Sequence, residues 1–315
     1  MTDTPLLILG AAFSDEERDR LEAAHSAVYA ASHDDIAVLP EDSRASVKAL
    51  AFKGHNPLGG ATMDLLPNLG LIANYGVGYD AINVEDASAR GIKVTNTPDV
   101  LNDDVADLAI GMMIAQSRNM VAGDAWVRSG KWATGENLPL NRKMSGSTVG
   151  IVGLGRIGRD IADRLAAFKM DIHYHARSEK ETPGWTFHSD VVSLASAVDY
   201  LVIALVGGKA TEKYVSREAI AALGPRGVIV NISRGSTIDE EALIEALENN
   251  TIAGAGLDVF NDEPKIDERF YALDNAVLQP HQGSGTVETR RAMAELQLAN
   301  ITAHLSGTDL LTPVN

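Results

Sequence analysis

The sequence contains no cysteine and has little positive charge. Without cysteine the chain forms no disulfides, no thiolate-ligated zinc or iron–sulfur centre and no thiolate nucleophile. Lys and Arg total 27 against 43 Asp and Glu, so the formal net charge is −16 at pH 7. Such an acidic chain repels phosphate backbones and anionic lipids, so we expect it to bind neither nucleic acid nor membranes. A phosphate-bearing ligand must therefore be held by a local site.

Long apolar runs are also missing. No stretch approaches the roughly 20 apolar residues that span a bilayer. The N-terminus has no basic segment before the short run Leu6–Leu9, which is not typical of a signal peptide. We therefore expect a cytoplasmic protein. With 315 residues, 45% of them apolar, the chain can build one large or two ordinary domains without a metal or disulfide.

Short apolar runs and amphipathic segments alternate along the chain. In the first part, Leu6–Leu9, 47–52 and 69–74 are predicted strands, and Ser14 with Glu17 forms a capping box that opens a helix. This alternation is typical of parallel sheets covered by helices on both faces. The predicted fold class is therefore α/β with doubly wound parallel sheets.

A break at Pro98 separates two such series. A long helix is predicted over 99–119, and the less regular segment 121–145 contains Trp126 and Trp132. The strands predicted after it are Thr148–Val152, 172–174, 200–205, 228–232, 255–259 and Ala276–Leu278. Helices are predicted after Arg156 and over 216–223, 239–248 and about 287–305. Two series indicate two domains, the second inserted into the first if the last helix returns to it.

The strongest local motif is Gly153-Leu154-Gly155-Arg156-Ile157-Gly158, between the strand Thr148–Val152 and an amphipathic helix. In a dinucleotide site the first glycine permits the tight turn, and the second lets the backbone approach the pyrophosphate. The third lets the helix pack on the strand, and the helix N-terminus presents N–H groups to the phosphates. The alternative is a glycine-rich turn with no ligand.

The end of the next strand indicates which dinucleotide is bound. NAD sites usually place Asp or Glu there to accept from the ribose 2′-OH. Here Arg177 and Ser178 occupy that place, and no carboxylate appears before Glu179. Because a guanidinium can bind a 2′-phosphate in a forked geometry, we predict NADP(H), with NAD(H) possible at lower affinity. Alternatively, Arg177 is a surface residue and NAD binds without its usual acid.

His173 and His175, two apart at a strand end, suggest a metal site. No third ligand lies nearby in the sequence and cysteine is absent. We therefore expect no metal and favour packing of these rings near an adenine.

Three apolar strands of the second series lead into polar segments that carry Arg234, Glu263 and His281. In open α/β sheets ligands bind outside the carboxyl ends of the strands, so these side chains could converge beside a nicotinamide. His281 would donate the proton in a carbonyl reduction, and Glu263 would stabilise its imidazolium form. Arg234 would bind a substrate carboxylate and polarise the carbonyl. Taken singly, each could instead be a strand cap, a loop acid or a surface arginine.

Several separated stretches together resemble the D-isomer-specific 2-hydroxyacid dehydrogenase family over nearly the whole chain. They are 74–80 (Asn-Tyr-Gly-Val-Gly-Tyr-Asp), 94–107, 149–158, 231–235, 256–264 and 280–286. The runs 97–107 and 283–290 and the Arg177-Ser178 pair are most similar to its glyoxylate/hydroxypyruvate and hydroxyphenylpyruvate reductases. The resemblance implies an NADPH-preferring enzyme that reduces small 2-keto acids to D-2-hydroxy acids.

The resemblance also implies the domain organisation. It implies two flavodoxin- and Rossmann-like domains with a cleft between them. Residues 1–98 plus 286–315 would form the substrate domain and residues 99–285 the NAD(P)-binding domain. A homodimer would form largely through residues 99–145, and Trp126 and Trp132 would lie in that contact or in the monomer core.

The substrate contacts that the resemblance implies are the backbone N–H groups of Val77 and Gly78, together with Arg234 and His281. Glycines flank a turn there, in which amides can form an anion nest. The alternative is an ordinary glycine-rich turn. Lys53, His55 and Leu101 are further plausible members of the substrate pocket.

Two departures from the family pattern concern the cofactor site. Many relatives have a Cys-Pro-x-Thr-type loop after the strand 200–205, but residues 205–211 are Leu-Val-Gly-Gly-Lys-Ala-Thr. Within this loop only Thr211 is predicted to contact the cofactor. Many relatives also have Thr where Val105 stands. The remaining predicted cofactor contacts, within the matching stretches, are Ile232, Ser233, Asp258 and Gly283.

Two other functions stay open on the sequence. Corepressor relatives of this family sense dinucleotides and recruit protein partners, and they can retain the catalytic residues. The second alternative is an NAD-dependent dehydrogenase of another D-2-hydroxy acid, such as phosphoglycerate, which the Arg177 interpretation opposes.

Overall fold

The computed structural model describes residues 4–315. The chain forms two compact units. The first unit extends to Val100 and includes Thr286–Asn315, and the second unit is Leu101–Gly285. Within residues 4–315, no helix has the length and apolar character needed to cross a membrane.

The first unit contains a five-stranded parallel sheet in the order β2-β1-β3-β4-β5. Its strands are β1 (Leu6–Leu9), β2 (Ala27–Ala30), β3 (Ala49–Phe52), β4 (Leu71–Asn74) and β5 (Lys93–Thr95). The helices between them are α1 (Asp15–Ala24), α2 (His33–Val38), α3 (Glu41–Ser46), α4 (Gly60–Met63) and α5 (Val84–Ala89). The predicted capping box of Ser14 and Glu17 is present at the start of α1.

Alternate residues of these strands enter two separate cores. Leu7, Leu50 and Ile72 belong to one cluster, whereas Ile8 and Ala73 belong to the other. Both faces of the sheet are therefore covered, which explains why β1, β3 and β4 are apolar and buried along their whole length.

The second unit contains a seven-stranded parallel sheet in the order β12-β11-β10-β9-β6-β7-β8. Its strands are β6 (Thr148–Val152), β7 (Asp171–His175), β8 (Thr186–His188), β9 (Tyr200–Ile203), β10 (Val228–Asn231), β11 (Gly254–Leu257) and β12 (Ala276–Leu278). Its α-helices are α6 (Asn102–Ser117), α7 (Met120–Arg128), α8 (Arg156–Ala167), α9 (Val191–Ser196), α10 (Arg217–Leu223) and α11 (Glu240–Glu248). Short 3-10 helices are Lys131–Thr134, Lys209–Thr211, Gly235–Thr237 and Glu268–Ala272. The two parallel sheets confirm the predicted fold class.

The last helix, α12 (Val287–Ser306), packs on the sheet of the first unit. Ile301 is fully buried in a core shared with β1, β3 and β4. The Gln297 amide donates to the Ala73 carbonyl at 2.8 Å, which anchors the helix to β4.

Candidate active site

Arg234, Glu263 and His281 follow three neighbouring strands of the second sheet. Arg234 comes after β10, Glu263 after β11 and His281 after β12, and these strands are adjacent and parallel. Neighbouring strands lie about 4.8 Å apart, so the three segments leave one edge of the sheet within a span of about 10 Å. The fold brings these strand ends together at one edge.

His281 and Glu263 form a hydrogen-bonded pair. The Nδ1 atom of His281 lies 2.7 Å from the Glu263 carboxylate, and the other carboxylate oxygen accepts from the Phe260 N–H at 2.8 Å. Because an ionised carboxylate only accepts, the proton of this bond sits on Nδ1. The pair fixes the tautomer and orientation of the imidazole. Because Nδ1 is bonded to Glu263, Nε2 is the ring nitrogen left for proton transfer.

Asp258 holds the segment that carries His281. Its buried carboxylate accepts from the N–H groups of Gln282 at 2.6 Å and Gly283 at 2.8 Å, and its carbonyl accepts from the His281 N–H. Burial raises the pKa of Asp258, and the two backbone N–H groups oppose that rise. His281 has a φ of +55°, a left-handed conformation that costs energy for a side chain with a Cβ. The three bonds to Asp258 therefore maintain a strained turn. The contacts of Asp258 and Gly283 with a cofactor stay predictions.

The Arg234 turn is fixed mainly through its backbone. The Arg234 carbonyl accepts from the Asn231 amide at 2.9 Å and from the Thr237 hydroxyl at 2.7 Å. One guanidinium nitrogen donates to the Ser233 carbonyl at 2.8 Å. Asn231 and Thr237 are fully buried, so this turn has little freedom to move.

At Gly235 the Arg234 turn packs directly against the backbone of the loop that carries Glu263. A Cβ on Gly235 would overlap the backbone of Phe260 and Asn261, which follow β11. On the far side of this loop, the Glu240 carboxylate accepts from the Asn261 N–H at 2.8 Å. Sequence reasoning singled out Arg234 but gave Gly235 no role, although a glycine directly after a candidate catalytic residue can signal a close backbone approach.

The glycine-rich turn after β6 fits a dinucleotide. Gly153 has a φ of +101°, and a Cβ there would lie 2.7 Å from the Ala204 carbonyl oxygen. A Cβ on Gly158 would overlap the Gly153 carbonyl, so α8 packs directly on the turn. A Cβ on Gly155 would meet nothing within 4 Å, so the backbone there is open to a ligand. The three glycines thus have the separate roles that a pyrophosphate site requires.

The residues between these glycines differ in exposure. Leu154 is buried, Ile157 packs against the same core, and Arg156 is exposed. Leu154 and Ile157 can therefore meet a ligand chiefly through their backbone.

The strand order reverses between β6 and β9. From β6 the chain passes outward to β7 and β8, and it then crosses to β9 on the other side of β6. Such a switch point opens a crevice at the carboxyl edge, where open α/β sheets bind ligands. The segments of Arg177 and His281 lie five strand spacings apart along this edge, about 24 Å.

Arg177 and Ser178 lie exposed in the loop after β7. Within residues 4–315, the Arg177 guanidinium forms no hydrogen bond or ion pair with the protein. It is therefore available to an anionic ligand.

The histidines of β7 have partners within the protein. The Nδ1 of His175 donates to the His188 carbonyl at 2.9 Å, and its Nε2 accepts from the Tyr214 hydroxyl at 2.8 Å. His173 pairs with the His188 ring, with 2.9 Å between nitrogens. Burial, followed by the nearby His173, lowers the pKa of His188. His188 was missed because its short strand, β8, was not predicted from the sequence.

The hydroxyls of Thr211 and Ser233 bond to backbone carbonyls. The Thr211 hydroxyl lies 2.6 Å from the Val206 oxygen, and the buried Ser233 hydroxyl donates to the Leu205 carbonyl. Ile232 packs against a core cluster. In this structure Thr211 and Ser233 shape the loop after β9, and their cofactor contacts stay predictions.

Val77 and Gly78 lie in the first unit, in the turn after β4. The Asn74 amide donates to the carbonyls of Gly76 and Gly78, and the Asn96 amide donates to that of Val77. Among the residues described, the N–H groups of Val77 and Gly78 have no protein acceptor. With the carbonyls occupied and these amides available, the turn can bind an anion.

Two of the suggested pocket residues, Lys53 and Leu101, are engaged or buried within their own units. The Lys53 ammonium lies 2.6 and 2.8 Å from the two oxygens of the Glu17 carboxylate and 4.5 Å from the centre of the Tyr75 ring. Leu101 is buried. His55 is exposed.

The fold and this edge of the second sheet define a dinucleotide-binding α/β protein. The family model of the D-isomer specific 2-hydroxyacid dehydrogenase NAD binding domain matches residues 110–283. The chain is 46% identical to a hydroxyphenylpyruvate reductase of Plectranthus scutellarioides over 269 residues, which are 85% of this chain and 86% of that protein. It is 47% identical to a glyoxylate/hydroxypyruvate reductase of Arabidopsis thaliana over 277 residues, or 88% of each chain.

One similar solved structure is an NADPH-dependent glyoxylate/hydroxypyruvate reductase from Sinorhizobium meliloti, in complex with NADP and malonate. It is 42% identical, with a TM-score of 0.93 over 98% of this chain and 96% of that one. The chain belongs to the D-isomer specific 2-hydroxyacid dehydrogenase family, which confirms the resemblance inferred from its motifs.

Proposed function

We propose that this protein is an NADPH-preferring reductase that converts small 2-keto acids, glyoxylate and hydroxypyruvate among them, to 2-hydroxy acids, which have the D configuration where the product is chiral. One observation carries the proposal: the 2.7 Å contact of His281 with Glu263 lies at the sheet edge that also holds Arg234 and the glycine-rich turn. The named activities of the reductases from Plectranthus, Arabidopsis and Sinorhizobium support the substrate class.

NADPH, when bound, supplies the hydride for the keto carbon. His281 donates a proton from Nε2 to the carbonyl oxygen, and Glu263 stabilises the protonated ring beforehand through Nδ1. Arg234 binds the substrate carboxylate and places positive charge where negative charge develops on the oxygen. The N–H groups of Val77 and Gly78 bind a substrate carboxylate in the first unit, which serves as substrate domain, and the second unit serves as cofactor domain.

The reaction itself is tested with a substrate panel of glyoxylate, hydroxypyruvate, pyruvate and hydroxyphenylpyruvate, each assayed with NADPH and with NADH. We expect the highest kcat/KM with NADPH and one of the first two acids. A preference for NADH across the panel would favour an NAD-dependent dehydrogenase of another D-2-hydroxy acid.

The cofactor preference is tested with Arg177→Ala. A hydrogen bond to a charged group contributes about 1.5–3 kcal/mol, so the variant should bind NADPH about 10- to 100-fold more weakly. NADH lacks the 2′-phosphate, so its Kd should change less than about twofold. Titration of each reduced cofactor by fluorescence measures both constants.

Arg217→Ala is the matched control for that substitution. It removes an exposed arginine of the same unit whose partner is Glu245 on the neighbouring helix. It should leave both constants unchanged. Equal losses for NADPH and NADH in Arg177→Ala would contradict the role of Arg177 in binding the phosphate.

We also propose that residues 99–145 form the homodimer contact. Large apolar side chains of this segment are exposed: Met120, Val121, Val127, Trp132 and Leu140. Trp126 is partly buried, and its buried indole N–H has no hydrogen-bond partner among residues 4–315. An apolar surface with an unsatisfied donor is typical of an interface that a second copy completes.

Val127→Glu tests this contact. A carboxylate in the centre of an apolar interface must be desolvated, so we expect the dimer to dissociate with a Kd at least about 100-fold higher. Sedimentation velocity over a concentration series gives that constant. Val38→Glu, at an exposed valine of the first unit, should leave it unchanged. A dimer of unaltered strength in Val127→Glu would place the interface elsewhere.

A further inference from the structure

We infer that the buried hydroxyl of Tyr174 is a positioning group for NADPH selectivity, because it fixes the loop that presents Arg177 and Ser178. The inference rests on the proposed function, in which this loop binds the 2′-phosphate. The inference adds to that proposal a buried residue that acts on the phosphate-binding loop and does not contact the phosphate.

The hydroxyl of Tyr174 closes the loop around those two residues. Tyr174 lies on β7 and is fully buried. Its oxygen accepts from the Lys180 N–H at 2.9 Å and donates to the Lys180 carbonyl at 3.1 Å. One phenol thus binds both backbone groups of a residue six positions later, and Arg177 and Ser178 are held on the closed turn between them.

A second side chain fixes the continuation of the same loop. Arg159, on α8, donates to the Glu181 carbonyl at 2.6 Å, and its guanidinium stacks 4.9 Å from the centre of the Trp185 ring. Arg159 belongs to the helix that starts at the glycine-rich turn. The loop is therefore tied both to the strand before it and to the pyrophosphate-binding helix.

This construction lowers the cost of binding a phosphate. An exposed arginine on a mobile loop must lose conformational freedom when it binds, and that loss reduces affinity. A loop already closed by Tyr174 and Arg159 holds Arg177 in place before the ligand binds, so less conformational freedom is lost on binding. Tyr174, being fully buried, makes no contact with a ligand, so its effect passes through the loop alone.

The experiment compares Tyr174→Phe with Tyr200→Phe in binary titrations with NADPH and NADH. Tyr200 is a matched control because it is also fully buried in the same sheet, and its hydroxyl lies 2.8 Å from that of Ser117, away from the loop. For Tyr174→Phe we expect an NADPH Kd about fivefold higher and an NADH Kd changed by less than about twofold. Tyr200→Phe should change neither constant.

Two further variants sharpen the test. Arg159→Leu removes the second contact and should also weaken NADPH selectively, which keeps the inference testable if Tyr174→Phe folds poorly. In an Arg177→Ala background, the additional loss caused by Tyr174→Phe should be smaller than in the unmodified protein, because only Ser178 is then left to position.

The outcomes separate this inference from the cofactor proposal. If the unmodified protein prefers NADPH but Tyr174→Phe and Arg159→Leu bind it equally well, the positioning role is wrong and the cofactor proposal stands. Equal weakening of NADPH and NADH would also overturn the role. If the unmodified protein binds NADH as tightly as NADPH, the cofactor proposal itself fails, and the inference fails with it.

Discussion

His281→Ala is expected to lower kcat for keto-acid reduction by about 10²- to 10⁴-fold, the contribution typical of a positioned general acid. The expectation follows from the 2.7 Å contact with Glu263, which fixes the orientation and tautomer of the ring. Binding of NADPH should change little, because the glycine-rich turn and Arg177 follow other strands of the sheet. Steady-state kinetics and a binary NADPH titration together measure the two effects.

His25→Ala serves as the control, since His25 is a histidine of the first unit whose Nε2 pairs with the Thr302 hydroxyl. It should retain full activity. Glu263→Gln keeps a side chain of the same size without the charge, and we expect an intermediate loss of kcat. If His281→Ala keeps more than about a tenth of the activity, another group donates the proton.

Gly235→Ala should damage both stability and catalysis. The new methyl group would overlap the backbone of Phe260 and Asn261, which cannot rotate away as a side chain could. We expect the free energy of unfolding to fall by about 3 kcal/mol. Displacing the Arg234 turn from the Glu263 loop by about 1 Å should lower kcat about 100-fold. Urea denaturation and kinetics of the folded fraction measure the two quantities.

Gly59→Ala is the corresponding control. Its backbone is extended at φ −114°, and a Cβ there would lie 3.5 Å from its nearest neighbour, an ordinary contact. Both stability and kcat should remain near the unmodified values. If Gly235→Ala matched this control, the close approach of the two loops would not determine the geometry of the site.

The sequence predicted every inner strand of the two sheets but missed three of the four edge strands; the fourth, β12, was predicted with its observed limits. β1 and β6 were predicted with their observed limits, because a parallel strand covered on both faces is a continuous apolar run. β2, β5 and β8 were missed. Each lies at the edge of its sheet and is short or only partly buried, so its sequence lacks such a run.

The candidate site shows the same division. Arg234, Glu263 and His281 were predicted because they lie in polar segments after apolar strands and within stretches that resemble the family, and both signals are visible in a single sequence. The roles of Gly235 and Asp258 depend on contacts between segments that are distant in the chain, and no local sequence pattern indicates them. For the same reason the sequence could not show that the Ser233 hydroxyl bonds to the Leu205 carbonyl. The contact of Tyr174 with Lys180 is local, but it depends on the path of the loop between them, which the sequence does not give.

The proposed reaction is tested most sharply with hydroxypyruvate, because its reduction product is chiral. We expect one D-glycerate formed per NADPH consumed, with turnover abolished or strongly reduced in His281→Ala. Tight binding of NADPH without any turnover of a 2-keto acid would overturn the reductase proposal and would instead support a dinucleotide-sensing, corepressor-like protein.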